Sequence, residues 1–93
     1  MVNALMIHPR DNVVVALHDL PTGTRIAWDG GAEDMEIIAK EEIPFGHKVA
    51  IAHIPTGESV IKYGASIGVS TADIAPGQHV HRHNLRSVRG AAT

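Results

Sequence analysis

One short pattern recurs four times in this 93-residue chain and restricts what it can fold into. The pattern reads apolar residue, Pro or Ala, any residue, Gly, two residues, then a β-branched residue. The copies are Leu20-Pro21-Thr22-Gly23 to Ile26, Ile43-Pro44-Phe45-Gly46 to Val49, Ile54-Pro55-Thr56-Gly57 to Val60, and Ile74-Ala75-Pro76-Gly77 to Val80. Proline presets a turn's φ angle, and glycine accepts positive φ without a Cβ clash. Each copy therefore predicts a strand end, a tight turn and a new strand. The copies start 23, 11 and 20 residues apart, which excludes a solenoid of fixed period. A compact all-β domain with similar corners fits instead.

The stretches between corners agree. Asn12–His18 carries Val13-Val14-Val15-Ala16-Leu17, a β-branched run expected to be buried on both faces. Lys48–His53 alternates, Val49 and Ile51 against Ala50 and Ala52. Ser59–Tyr63, Ile67–Ser70 and His79–Asn84 complete the strand series. Residues Ala32–Glu42 read equally as a helix or as a short strand over Met35–Ala39. With one Trp, one Tyr and one Phe, the core must be aliphatic. The chain makes a single domain, with an ordered core of about residues 8–86. The fold class expected is mainly β, a barrel or clip with at most one or two short helices.

Composition removes several functions. A formal charge of −2 gives no general footprint for nucleic acid. The absence of cysteine removes disulfides, thiolate metal sites and cysteine nucleophiles, and fits a cytoplasmic protein. No apolar run approaches the length needed to span a membrane as a helix. The charge is uneven: Asp29, Glu33, Asp34, Glu36, Glu41 and Glu42 make the middle acidic, whereas Arg82, Arg86 and Arg89 make the end basic.

Those arginines adjoin the chain's densest chemistry. In Gly77-Gln78-His79-Val80-His81-Arg82-His83-Asn84, three histidines occupy every second position. An extended strand would align His79, His81 and His83 on one face. Imidazole serves both proton transfer near neutral pH and binding of borderline metals. His79, His81 and His83 are thus candidate metal ligands, with Asp73 or another chain to complete the set. The competing reading makes them half-exposed strand residues. Asn84 either holds a ligand oxygen or closes a turn, the commoner role of Asn. Lys62 and Tyr63 precede a glycine corner, where the ammonium either clamps a carboxylate or faces solvent. His47 and Lys48 follow the second corner. Asp11 reads as a turn-closing carboxylate, and His18 and His53 as structural histidines. No nucleophile elbow, catalytic triad order or zinc-protease helix is present.

The ordered motifs Pro9-Arg10-Asp11-Asn12-Val13-x-Val15-Ala16-Leu17, Ile43-Pro44-x-Gly46-His47-Lys48-Val49-Ala50, Ile54-x-x-Gly57-x-x-Val60-Ile61-Lys62-Tyr63-Gly64-x-x-Ile67-Gly68 and Asp73-Ile74-x-x-Gly77-x-x-Val80-His81-x-His83-Asn84 resemble those of one family. It is the small subunit or N-terminal domain of the altronate/galactarate dehydratases, which also includes the small subunit of sulfolactate sulfo-lyase. The resemblance covers residues 8–86. It implies a SAF-type β-clip and a part in β-elimination of water, or sulfite, from a small sugar acid or hydroxy acid. It further implies a divalent metal, iron above others, and a large catalytic subunit as partner. On the matching positions, His81, His83 and Lys62 become candidate catalytic residues, and Asn84, Tyr63, His47 and Lys48 candidate substrate-binding residues. The alternatives are a stand-alone binding module for a divalent metal or small carboxylate, and a purely structural row that packs on a partner or, in a homo-oligomer, on a second copy.

Overall fold

The computed structural model describes residues 2–31 and 36–87. Nine short strands and no helix occur among them, in keeping with the mainly β, SAF-like expectation. They are β1 (Ala4–Leu5), β2 (Val13–Ala16), β3 (Arg25–Ile26), β4 (Ile37–Ile38), β5 (Lys48–Ala50), β6 (Ser59–Lys62), β7 (Ala65–Ser70), β8 (His79–Val80) and β9 (Leu85–Ser87). Every pairing is antiparallel. One sheet runs β1-β2-β5-β8, a two-stranded sheet pairs β3 with β4, and a third runs β6-β7-β9.

The four corners hold this together in pairs. Leu20 bridges Ile43, and Ile54 bridges Ile74, each through two reciprocal N–H to C=O bonds of 2.8–2.9 Å. All four side chains are buried. The unequal spacing now has a reason: the fold contains two units of corner, hairpin, corner, one around β3-β4 and one around β6-β7. The corner glycines have φ between +82° and +94°. In each corner the residue after glycine donates its N–H back to the residue two before the glycine, closing a type II turn. Side chains close two corners further, Asp19 accepting from Phe45 N–H and Asp73 from Thr56 N–H, both at 2.8 Å.

The four-stranded sheet is covered on both faces, as the β-branched run of β2 predicts. Val14, Ala16, Ala4 and Val49 face one cluster that includes Trp28, Ile26, Ile37 and Ile43. Val13, Ala50 and Val80 face the other, with Ile54, Val60 and Ile74. Burying a residue of Val or Ile size is worth about 1.5–3 kcal/mol, so two small, mainly aliphatic clusters, with Trp28 in one, serve in place of an aromatic core.

One open alternative is decided, and one expectation needs revision. The acidic stretch Ala32–Glu42 contributes a strand at Ile37–Ile38; its residues 32–35 lie outside the described ones. The strand expected over His79–Asn84 ends at Val80, and residues 81–84 form a turn before β9. The cause is Asn84, which is buried. Its Oδ1 accepts from His81 N–H at 2.9 Å and its Nδ2 donates to His79 C=O at 2.9 Å. The amide takes backbone groups that an extended strand would offer to a neighbour, and so turns the chain.

Candidate functional site: a histidine cluster at one end of the central sheet

The pairing of β5 with β8 builds the cluster. Lys48 lies opposite Val80 and Val49 opposite His79. One further step of that register sets His47 opposite His81, and directly opposed side chains in an antiparallel pair lie about 5 Å apart at Cβ. The rings follow: His47 and His81 stack at 4.4 Å between centroids, and His47 and His79 at 5.0 Å. His47 Nδ1 is 2.8 Å from His79 Nε2. One ring nitrogen each from His47, His79 and His81 lies within 4.8 Å of the other two. All three residues are half-buried. His83 is exposed and flanks the group, its ring 5.3 Å from that of His79.

The surroundings keep two of these histidines, His79 and His81, short of protons. Partial burial, then the neighbouring His47, His83 and His81, hold His79 below the usual imidazole range against the pull of Glu41. Burial, then His47, Lys48 and nearby Arg82 and His83, lower His81 likewise. Glu41 also accepts the His79 backbone N–H at 3.0 Å. Lys48 is itself lowered, by burial and then by Lys62. A string of nitrogen groups thus runs from the histidines through Lys48 to Lys62, whose Nζ sits 5.1 Å from the centre of the Tyr63 ring.

Of the residues read from the sequence, the structure brings together His79, His81, Lys48 and His47, with His83 at the edge. His47, a substrate contact by the family resemblance, belongs to the mutual group of three. The signal lay in the repeat: the strands after the second and fourth corners are equivalent, and their pairing aligns the residues that flank them. Asn84 has both ends of its amide on backbone, the turn-closing alternative. Asp73 is spent on Thr56, accepting from its N–H and its hydroxyl, and is not part of the histidine group. Asp11 closes a turn as expected. It accepts N–H bonds from His8, Tyr63 and Gly64, pinning the two-residue loop in which Tyr63 and Gly64 both have positive φ. His18 and His53 are exposed and outside the cluster. A cleft of about 570 Å³ beside Trp28, Met6 and Ile51 contains none of the cluster residues.

The sequence model of the altronate/galactarate dehydratase SAF domain matches residues 2–88. The chain belongs to that family. Among the relatives of this SAF domain, altronate dehydratase of Escherichia coli is 45% identical over 83 residues, 89% of this chain but 16% of the enzyme. Galactarate dehydratase (L-threo-forming) of Escherichia coli is 38% identical over 78 residues, 82% of this chain and 14% of the enzyme. The (2R)-sulfolactate sulfo-lyase subunit alpha of Paracoccus pantotrophus is 45% identical over 56 residues, 60% of this chain and 84% of that subunit. The SAF domain therefore spans about a sixth of the altronate dehydratases it matches, and most of a protein named as one subunit of a lyase.

Proposed function

We propose that this chain is the small, histidine-bearing subunit of a lyase that eliminates water or sulfite from a small hydroxy acid, working with a separate large catalytic chain. The observation that carries the reading is the meeting of His47, His79 and His81 within 4.8 Å at one sheet end, in a domain whose relatives are dehydratases and a sulfo-lyase subunit.

Three imidazoles suit a divalent first-row metal, and the lowered proton affinities of His79 and His81 leave lone pairs available at neutral pH. The donor set therefore fits the iron that the family resemblance implies, with His47, His79 and His81 as its holders. A metal bound there would act as a Lewis acid toward a substrate hydroxyl or carboxylate. The chain's own groups supply the rest. Lys48 and Lys62 present ammonium groups to an anionic substrate. Tyr63 lies under the Lys62 ammonium and restrains it. His83, outside the mutual group of three, is placed to carry a proton at a ring nitrogen. Asn84 shapes the turn that presents His81 and His83.

The test is turnover of altronate, galactarate and sulfolactate by the purified chain, alone and combined with a large lyase chain that co-purifies with it. No turnover alone, turnover when combined, and its loss in His81→Ala are expected. Enzymatic rates from the chain alone, or none from the pair on any of the acids, would overturn the reading.

A further inference from the structure

Among the described residues, Tyr63 is the one residue other than glycine with a positive φ, at +59°. Lys62 pairs with Ala65, so Tyr63 and Gly64, the latter at +74°, make a two-residue hairpin turn of type I′. That turn favours Asn, Asp or Gly at its first position, and a bulky side chain is strained there. The fold gains nothing by burying the ring, which is 64% exposed.

The strained turn is held from two sides. The buried Asp11 carboxylate accepts from Tyr63 N–H at 3.2 Å through Oδ2 and from Gly64 N–H at 2.8 Å through Oδ1. The same Oδ2 accepts from His8 N–H at 3.1 Å, which ties the carboxylate to its own loop. The His8 ring lies against Gly64, where a Cβ would come to 2.9 Å from Cγ, Cδ2 and Cε1. His8 Nδ1 in turn accepts from Arg10 N–H at 3.1 Å. A loop distant in sequence thus enforces a turn that Tyr63 disfavours. A backbone outlier fixed so firmly by its surroundings points to function.

The turn presents a cation and a phenol together. Lys62 Nζ lies 5.1 Å from the centre of the Tyr63 ring, and an exposed contact of that kind is too weak to explain the strain. Among the described residues Lys62 has no carboxylate partner, and its charge opposes that of Lys48. An ammonium without a counter-ion, beside a phenol O–H, offers two donors to an anionic oxygen.

We propose that Asp11 is a positioning residue, holding Tyr63 in the left-handed conformation so that the Tyr63 hydroxyl and the Lys62 ammonium form one binding pair for the carboxylate of the hydroxy acid. The proposal rests on the functional reading above and adds to it the residue that sets the pair in place.

The experiment measures melting of the isolated chain, and kcat and KM of the chain combined with its co-purifying large chain on whichever of altronate, galactarate and sulfolactate is turned over. Tyr63→Asn should melt no lower than about 2 °C below the parent, because Asn suits the turn. It should raise KM about tenfold or more while kcat changes about twofold at most, the mark of lost substrate binding. Tyr63→Phe, which keeps the ring over Lys62, should raise KM less. Asp11→Asn should raise KM in the parent but add almost nothing in the Tyr63→Asn background, since it acts through that residue. If Asp11→Asn fails to fold, Asp11→Glu, which keeps the acceptors but moves them, takes its place. An unmoved KM in Tyr63→Asn overturns the proposal. So does a loss of several degrees in that variant, which would make the ring a support of the fold, or a failure to co-purify with the large chain, which would make it a protein contact. Equal effects of Asp11→Asn in both backgrounds overturn the positioning role. Galactarate added to the isotope-labelled chain separates the two readings. Shifts of the Tyr63 and Gly64 amide signals that vanish in Tyr63→Asn, in a pair that turns over none of the acids, sustain the binding pair and sink the lyase reading. Neither shifts nor turnover sinks both.

Discussion

His47 and His79, 32 residues apart in the chain, approach to 2.8 Å through Nδ1 of one ring and Nε2 of the other. A contact this short between two ring nitrogens needs one of them to accept, so both rings cannot be doubly protonated and keep it. The pair is therefore a neutral or singly charged unit while the contact holds.

Metal binding should follow membership of the group of three rather than position in the His79–His83 row. His47→Ala or His81→Ala is expected to weaken Co²⁺ or Fe²⁺ binding by tenfold or more, at least about 1.4 kcal/mol. His83→Ala should cost less. Isothermal calorimetry checks this, and equal losses at His83 and His47 would contradict the assignment.

Stability should depend on pH in a set direction. His79 and His81 bind protons less readily folded than unfolded. The unfolded chain thus holds more protons between the lowered folded values and the ordinary value of about 6.5, and stability there rises with pH. Their contribution is fully present above about pH 6.5 and is lost as the pH falls through the lowered values. Urea midpoints at pH 7.5 and 5 should show the drop, and the His79→Gln, His81→Gln double variant should show a smaller one.

Asn84→Ala removes both side-chain bonds that turn the chain after β8. Leaving a buried donor or acceptor unpaired costs about 1–3 kcal/mol each, and a domain of this size loses roughly 4–8 °C in Tm per kcal/mol. Melting should fall by several degrees and metal binding should weaken with it, because the same turn places His81. An unchanged melting point would make Asn84 a ligand contact rather than a turn support.

The corner glycines should not be equally sensitive. At Gly57 an added Cβ meets open space, so alanine pays only for positive φ, about 1–2 kcal/mol. At Gly77 the same Cβ would collide with the carbonyl oxygen of Ile38. Gly77→Ala should therefore destabilise far more than Gly57→Ala or unfold the chain, as denaturant titration of the two would show.

Much of this architecture is legible in residue order, since its determinants are local. Proline and glycine at fixed offsets specify a turn wherever they occur, and the four corners fall where they stand. Val13–Ala16 is buried on both faces because an apolar run has no polar side to expose. The carboxylate of Asp11 closes its turn through N–H groups of Tyr63 and Gly64, more than 50 residues away, so its type of role was legible but its partners were not.

Residue order alone carries the turn chemistry, the mainly aliphatic core and the residue types available for chemistry. Long-range packing sets the rest: the corners bridge in pairs, β5 lies beside β8, and His47 joins His79 and His81 while Asn84 turns His83 to the edge. The physical reason is that strand partners are chosen by burial and hydrogen bonding summed over the whole chain. A two-residue strand such as β8 carries too little pattern of its own to name its neighbour.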